Sequence, residues 1–331
     1  MTRRRFRCLV LVVSVLLLIP VAAESQVPNK TYLIGWVGSR DDRWEAFQRA
    51  LGERGWVEGR HFVADIRKPA QGRRESLEQV TEELVQAKVD VIVGFGTVYA
   101  LAAQRATRTI PIVMVTSGFP VEAGLAKSLA RPGGNVTGNS IYAGGEVFGK
   151  MLQLLRELLP NATTLGVLWD YAPPAIPSAE AAVALTELRR AAEILALRLR
   201  VWETRSPEDV ASALVQARKE PLDALFLTAG PLHYNARAPI LNFVLERRLP
   251  TTSDFWLPEL QAPVLFYAPD PYELTRGAAR YVDRILRGTP AADLPIQLPS
   301  KFVLRLNLKT ARAIGMTIPP ALVVRADHII E

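Results

Sequence analysis

The sequence predicts an α/β fold of two doubly wound parallel-sheet lobes, and three observations predict it. Short β-branched runs alternate with longer amphipathic segments, which is the pattern of parallel strands joined by crossover helices. The rhythm restarts after residue 138, giving two βα sets of similar size rather than one long sheet. The 331 residues, 49% of them hydrophobic, are also enough to fill two cores.

In the first set, residues 32–37 read as a strand. Ser39 or Asp42 is placed to cap the helix in which Trp44, Phe47 and Leu51 recur at helical spacing, and Gly55 ends it. A strand follows at 61–66, then a helix marked by Leu77, Val80, Leu84 and Val85. The run 89–94 reads as a strand buried on both faces. Further elements are a helix at 97–107, a strand at 110–116 and a helix at 122–130. Pro132-Gly133-Gly134 makes a turn before 135–138.

The second set opens with Phe148, Met151, Leu152, Leu155 and Leu159 on one helical face, stopped by Pro160. Strands are predicted at 165–169, 200–203, 224–228, 250–253 and 264–267, with helices at 178–196, 207–219 and 232–248. A helix at 271–287, the run 301–307 and a short helix at 308–314 close the chain. Pro173, Pro174 and Pro177 form a rigid loop within the second lobe, not a linker.

The N-terminus carries an export signal by its order of parts. Arg3, Arg4, Arg5 and Arg7 precede a non-charged, mostly aliphatic run at 8–19, and Val21-Ala22-Ala23 supplies small residues for cleavage. The apolar run is shorter than the roughly 20 residues a membrane helix needs. Thr2-Arg3-Arg4-Arg5-Phe6 also resembles a twin-arginine signal. The expectation is a signal peptide at 1–23 and a freely secreted, monomeric mature chain. Losing four arginines lowers the formal charge from +7 to +3, and no basic block remains to serve a nucleic acid. Cys8 is the single cysteine, so the mature chain has no disulfide, thiol chemistry or cysteine metal site.

The catalytic motifs fail on their chemistry. The run from Gly144 to Met151 approaches a phosphate-binding loop but has Met151 where magnesium needs a hydroxyl. Gly94-Phe95-Gly96 opens a helix after a buried strand, yet Tyr99 stands where a dinucleotide fingerprint has its third glycine. What remains is a helix start with Thr97 at its mouth, suited to a ligand oxygen. His61, His233 and His328 lack carboxylates at ligand spacing, and each reads as a surface or capped residue. No metal, cofactor or catalytic set is expected. Asp254 and Asp270 each follow a strand, to face a cleft or to cap the next helix. Trp36, Trp169, Tyr171, Phe255, Trp256 and Tyr267 lie at or just after strand C-termini, where open α/β sheets bind ligands.

Several stretches resemble a bacterial ABC-transporter substrate-binding family that includes tryptophan- and tyrosine-type binding proteins. They are VDVIVGFGT at 89–97, TIPIV at 109–113, PVEAGL at 120–125 and ARPGGNVTG at 130–138, joined by 149–152, 165–170, 301–307 and 311–331. The resemblance implies a type I periplasmic-binding fold with three hinge crossovers, near Gly138 and Asn139, Asp270 and Ile296. It implies lobe 1 at 30–138 plus 271–295 and lobe 2 at 139–270 plus 296–331. The implied role is periplasmic capture of a small molecule, an amino acid or a relative of one, for an inner-membrane permease and its ATPase. A sensor module feeding a receptor is the alternative. The expected ligand-binding residues are Trp36, Gly38, Ser39, Gly96, Thr97, Thr116 and Ser117 from lobe 1. Lobe 2 adds Trp169, Tyr171, Thr228, Asp254 and Tyr267. The chain departs from the family pattern at Asp41-Asp42-Arg43-Trp44-Glu45, at Gly118-Phe119-Pro120-Val121 (where an aspartate is usual in place of Phe119) and at Asp170-Tyr171-Ala172-Pro173.

Overall fold

Strand β1 (Tyr32–Val37) forms where aromatic and branched side chains suit a pleated surface. The computed structural model describes residues 30–69, 74–142, 146–171, 178–228, 230–254 and 261–331. After β1 come α1 (Asp42–Gly52), β2 (Phe62–Arg67), α2 (Arg74–Gln86), β3 (Val91–Phe95), α3 (Thr97–Ala106), β4 (Ile112–Thr116) and β5 (Val136–Gly138). The strands make one parallel sheet in the order β2-β1-β3-β4-β5. Both faces are covered, with successive residues going to opposite sides. Val91, Val93, Val113 and Val115 join the core of Trp36, Trp44 and Phe47. Ile92, Ile112 and Met114 join that of Leu84, Tyr99 and Ala103. This double burial explains the continuous apolar runs.

The second half contributes α4 (Glu146–Leu158), β6 (Thr164–Asp170), α5 (Ser178–Ile194), β7 (Arg198–Thr204), α6 (Pro207–Ala217), β8 (Ala224–Leu227), α7 (Pro231–Asn235), α8 (Arg237–Arg247), β9 (Thr251–Ser253) and β10 (Leu265–Pro269). Then follow α9 (Pro271–Leu286), a 3-10 turn (Ala291–Asp293), β11 (Phe302–Asn307), α10 (Leu308–Ala313), α11 (Pro320–Arg325) and β12 (His328–Ile330). Seven strands pair in the order β12-β11-β10-β9-β8-β6-β7, all parallel except the antiparallel β10 and β11.

The chain passes between the sheets three times. It leaves β5 for α4, leaves β10 for α9, which packs on α1 and β4, and leaves the 3-10 turn for β11. The first and third passages run side by side. Gln297 N–H donates to the Gly138 carbonyl at 3.0 Å, and Ser140 N–H donates to the Gln297 carbonyl at 2.8 Å. The buried Asn139 Nδ2 donates to the carbonyls of Val115 at 3.1 Å and Leu274 at 2.9 Å, tying β4 to α9. Glycine is required twice here. Gly138 has φ +133°, and a Cβ on it would lie 2.2 Å from the Met114 carbonyl oxygen. A Cβ on Gly277 would lie 2.7 Å from Asn139 Oδ1.

Four sequence expectations are corrected. The segment 122–130 is a series of turns, not a helix. Gly124 sits at φ +76°, while Leu125 N–H and Ala126 N–H both return to the Pro120 carbonyl, so the first turn closes and does not propagate. The single helix expected at 232–248 is two helices broken at Ala236. Pro239 has no N–H to give to the carbonyl of Asn235, where α7 ends. Helix α1 is capped by Asp41, which accepts from Arg43 N–H at 3.1 Å and Trp44 N–H at 3.3 Å; neither Ser39 nor Asp42 caps it. His233 is fully buried, not at the surface. The segment read as an export signal, the loop of Pro173, Pro174 and Pro177, the Gly144-Gly145 start of the loop-like motif, and Phe255 and Trp256 lie outside the described residues.

Candidate ligand-binding site

In parallel sheets with crossover helices, strand C-termini and helix N-termini share one edge, and ligands bind outside it. On the first sheet that edge is a single hydrogen-bonded unit. Gly96 follows β3 at φ 89°, ψ 154°, and as the N-cap of α3 it offers no side-chain cap. Its N–H donates to both the carbonyl and Oγ1 of Thr116, each at 3.0 Å. Thr97 Oγ1 lies 3.1 Å from Ser117 Oγ and accepts from Gly118 N–H at 3.0 Å. The structure thus brings Gly96, Thr97, Thr116 and Ser117 together around the start of α3. The first-turn N–H groups of that helix give the unit a partial positive charge suited to an anionic oxygen.

The other first-lobe residues have different surroundings. Trp36 is 1% exposed, inside an aromatic cluster with Trp44 (ring centroids 5.2 Å), Phe47 (5.0 Å) and Phe95 (5.6 Å). Gly38 continues the β1–β2 ladder by donating its N–H to the Arg67 carbonyl at 2.9 Å. A Cβ on it would meet Trp36 Nε1 at 2.8 Å, so the indole edge keeps that position bare. Ser39 is half-buried in the loop before α1. Asp42, on α1, accepts from the Tyr272 hydroxyl at 2.5 Å, and this bond pushes the phenol pKa up to about 12.

The edge of the second sheet is built differently. Trp169 is buried against Phe226 with its ring centroid 6.2 Å away, and its indole N–H has no hydrogen-bond partner among the described residues. Thr228 Oγ1 accepts the Asp170 N–H at 2.8 Å. The fully buried Asp170 carboxylate takes the Leu232 N–H at 2.9 Å and so satisfies the start of α7. A Cβ on Gly230 would fall 1.9 Å from Asp170 Oδ2, so the carboxylate reaches this backbone only over a glycine. His233 Nδ1 donates to the Thr228 carbonyl at 2.8 Å, since a carbonyl only accepts, and Nε2 lies 2.8 Å from Thr204 Oγ1. Burial lowers the His233 pKa, and the Asp170 charge partly opposes it.

Tyr171 follows this group, half-buried, with the Arg205 guanidinium 4.7 Å over its ring. Tyr267 lies within β10 and stacks on Phe302 at 5.5 Å and 16°, away from the strand ends. Asp254, directly after β9, accepts from the Tyr142 hydroxyl at 3.0 Å. Asp270 instead caps α9, accepting from Tyr272 N–H at 2.9 Å and Glu273 N–H at 3.4 Å.

Sequence reasoning missed Phe119 and Tyr142. Their rings stack at 4.9 Å and 26°, joining the loop after β4 to the first passage between sheets. Sequence reasoning named Thr228 but missed the partners Asp170 and His233, because short polar residues at strand ends show no periodicity.

Residues 37–330 match the model of a family described as ABC transporter substrate binding protein. A tyrosine-binding protein of Clostridioides difficile (strain R20291) is 37% identical over 132 residues, which is 40% of this chain and 37% of that protein. The match therefore spans well under half the length of that curated relative. Among solved structures, a conserved domain protein from Vibrio cholerae has TM-score 0.77 and 27% identity, covering 91% of this chain and 100% of that one. A domain from Streptococcus pneumonia, solved in complex with L-Trp, has TM-score 0.79 and 22% identity over the same shares and so attests the fold.

Proposed function

This chain belongs to the ABC transporter substrate binding protein family, and we propose that it captures an amino acid with an aromatic side chain between its two lobes for delivery to an importer. The observation that carries the reading is the complementary pair of sheet edges joined by three passages. One edge offers amide and hydroxyl groups at the start of α3, and the other offers the Asp254 carboxylate. A zwitterion has one end for each. The kinship to a tyrosine-binding protein supports an aromatic amino acid as cargo.

In this reading lobe 1 comprises 30–138 plus 271–295 and lobe 2 comprises 139–270 plus 296–331. Gly38, Ser39, Gly96, Thr97, Thr116 and Ser117 serve the first lobe, and Tyr171, Thr228 and Asp254 the second, whereas Trp36 and Trp169 are buried in the two cores and Tyr267 lies away from the strand ends. Ligand binding stabilises the closed arrangement, which an inner-membrane permease with its ATPase then recognises outside the cytoplasm. The chain binds and releases its cargo without chemical change. Thermal unfolding in the presence of L-tyrosine and L-tryptophan tests the proposal. A ligand at 100 times its Kd should add roughly 2.7 kcal/mol of stability. An unchanged midpoint with both, at millimolar concentration, would contradict it.

A further inference from the structure

We infer that Tyr142 is a positioning residue that aims the Asp254 carboxylate at the ammonium group of the bound amino acid. The inference rests on the amino-acid reading above. Asp254 follows β9 at the C-terminal edge of the second sheet and is 9% exposed, so its carboxylate sits in a largely dry place. There, the hydrogen bond donated by the Tyr142 hydroxyl fixes which way the carboxylate points.

Tyr142 gives that direction because its ring is held on two sides. Phe119 stacks on it at 4.9 Å, and Phe148 of α4 lies 5.4 Å away at 34°. The Phe119 loop is itself pinned. Gly118 N–H donates to Thr97 Oγ1 at 3.0 Å, Ser140 Oγ donates to the Gly118 carbonyl at 2.6 Å, and Ile141 N–H donates to the Ser117 carbonyl at 2.7 Å. One continuous frame therefore runs from the start of α3, through Phe119 and Tyr142, to Asp254. A phenol is neutral, so the Tyr142 bond orients the carboxylate without placing a counter-charge beside it. The same frame begins at Thr97 and Ser117, beside the anion-favouring start of α3. Phe119 supplies a flat contact to the Tyr142 ring.

Calorimetric titration of the full chain with L-tyrosine and with 3-(4-hydroxyphenyl)propanoate, which lacks the amine, tests this. The unaltered chain should prefer the amino acid by about tenfold or more, and Asp254→Asn should reduce that preference to roughly threefold or less. Tyr142→Phe keeps the ring stack, and should weaken L-tyrosine roughly three- to tenfold while leaving the des-amino compound nearly unchanged. In the Asp254→Asn background, Tyr142→Phe should add little, the mark of two groups acting as one. Retained preference in Asp254→Asn, or equal weakening of both ligands by Tyr142→Phe, would overturn the inference while leaving the amino-acid reading intact. Binding of neither compound by the unaltered chain would overturn both.

Discussion

The two sheet edges solve the same problem with different chemistry. At the first, Gly96, Thr97, Thr116 and Ser117 are joined by backbone amides and hydroxyls, with no ionisable side chain in the unit. At the second, Asp170, His233 and Asp254 are ionisable and nearly removed from water, and each is bound to named partners. A neutral edge costs little to bury and leaves its polarity to the start of α3, whereas a buried charge must be hydrogen-bonded to be tolerated. The second edge consequently needs glycine at 230 and a histidine below it. The difference teaches that the first edge is built from backbone and hydroxyl dipoles and the second around ionisable side chains.

Substitutions should separate the two edges and the passages between them. The largest effect is expected from Gly138→Ala, where a Cβ meets the Met114 backbone and φ is +133°. It should cost about 3 kcal/mol or more in chemical denaturation, because neither backbone segment has room to yield. Gly230→Ala should cost about 2 kcal/mol by driving the Asp170 carboxylate off the Leu232 N–H. That loss should appear as faster amide exchange in α7 and β6, with α3 unaffected; equal exchange at both edges would erase the contrast between them.

The third prediction concerns pH. Burial lowers the His233 pKa below its unfolded value, so at mildly acidic pH the unfolded chain binds the proton first. Its contribution to stability is full above the unfolded value of about 6.5 and is lost as pH falls toward the lowered folded value. Denaturation midpoints compared at about pH 7.5 and about pH 5.5 should drop on acidification, and His233→Gln should shrink the drop. A drop of undiminished size in the variant would assign it elsewhere. The smallest effect belongs to Arg205→Ala, which removes an exposed cation from the Tyr171 ring and should cost about 0.5 kcal/mol.

Much of this architecture was legible because burial writes itself as periodicity. The apolar runs at β3 and β4 and the Phe148–Met151–Leu155 stripe of α4 identify their elements directly. Turn chemistry was less legible. Helical composition at 122–130 loses to Gly124 and the returning Pro120 bonds, and Pro239 acts four residues back, at Asn235. β12 escaped notice because His328, Ile329 and Ile330 form a short edge strand with little burial to pattern it. At the site, the helix start at Gly96 and Thr97 could be read from a glycine after a buried strand. The Phe119–Tyr142 stack could not, since its partners are 23 residues apart and meet only through the Ser140 and Ile141 bonds between loop and passage.

Small-angle scattering with and without saturating L-tyrosine tests the central claim most directly. Closure of two lobes about the passages at Gly138, Asp270 and Ile296 predicts a smaller radius of gyration in the ligand-bound protein. The fall should be weakened by Asp254→Asn at the same ligand concentration. An identical scattering profile, under conditions where calorimetry shows the site filled, would contradict capture by lobe closure.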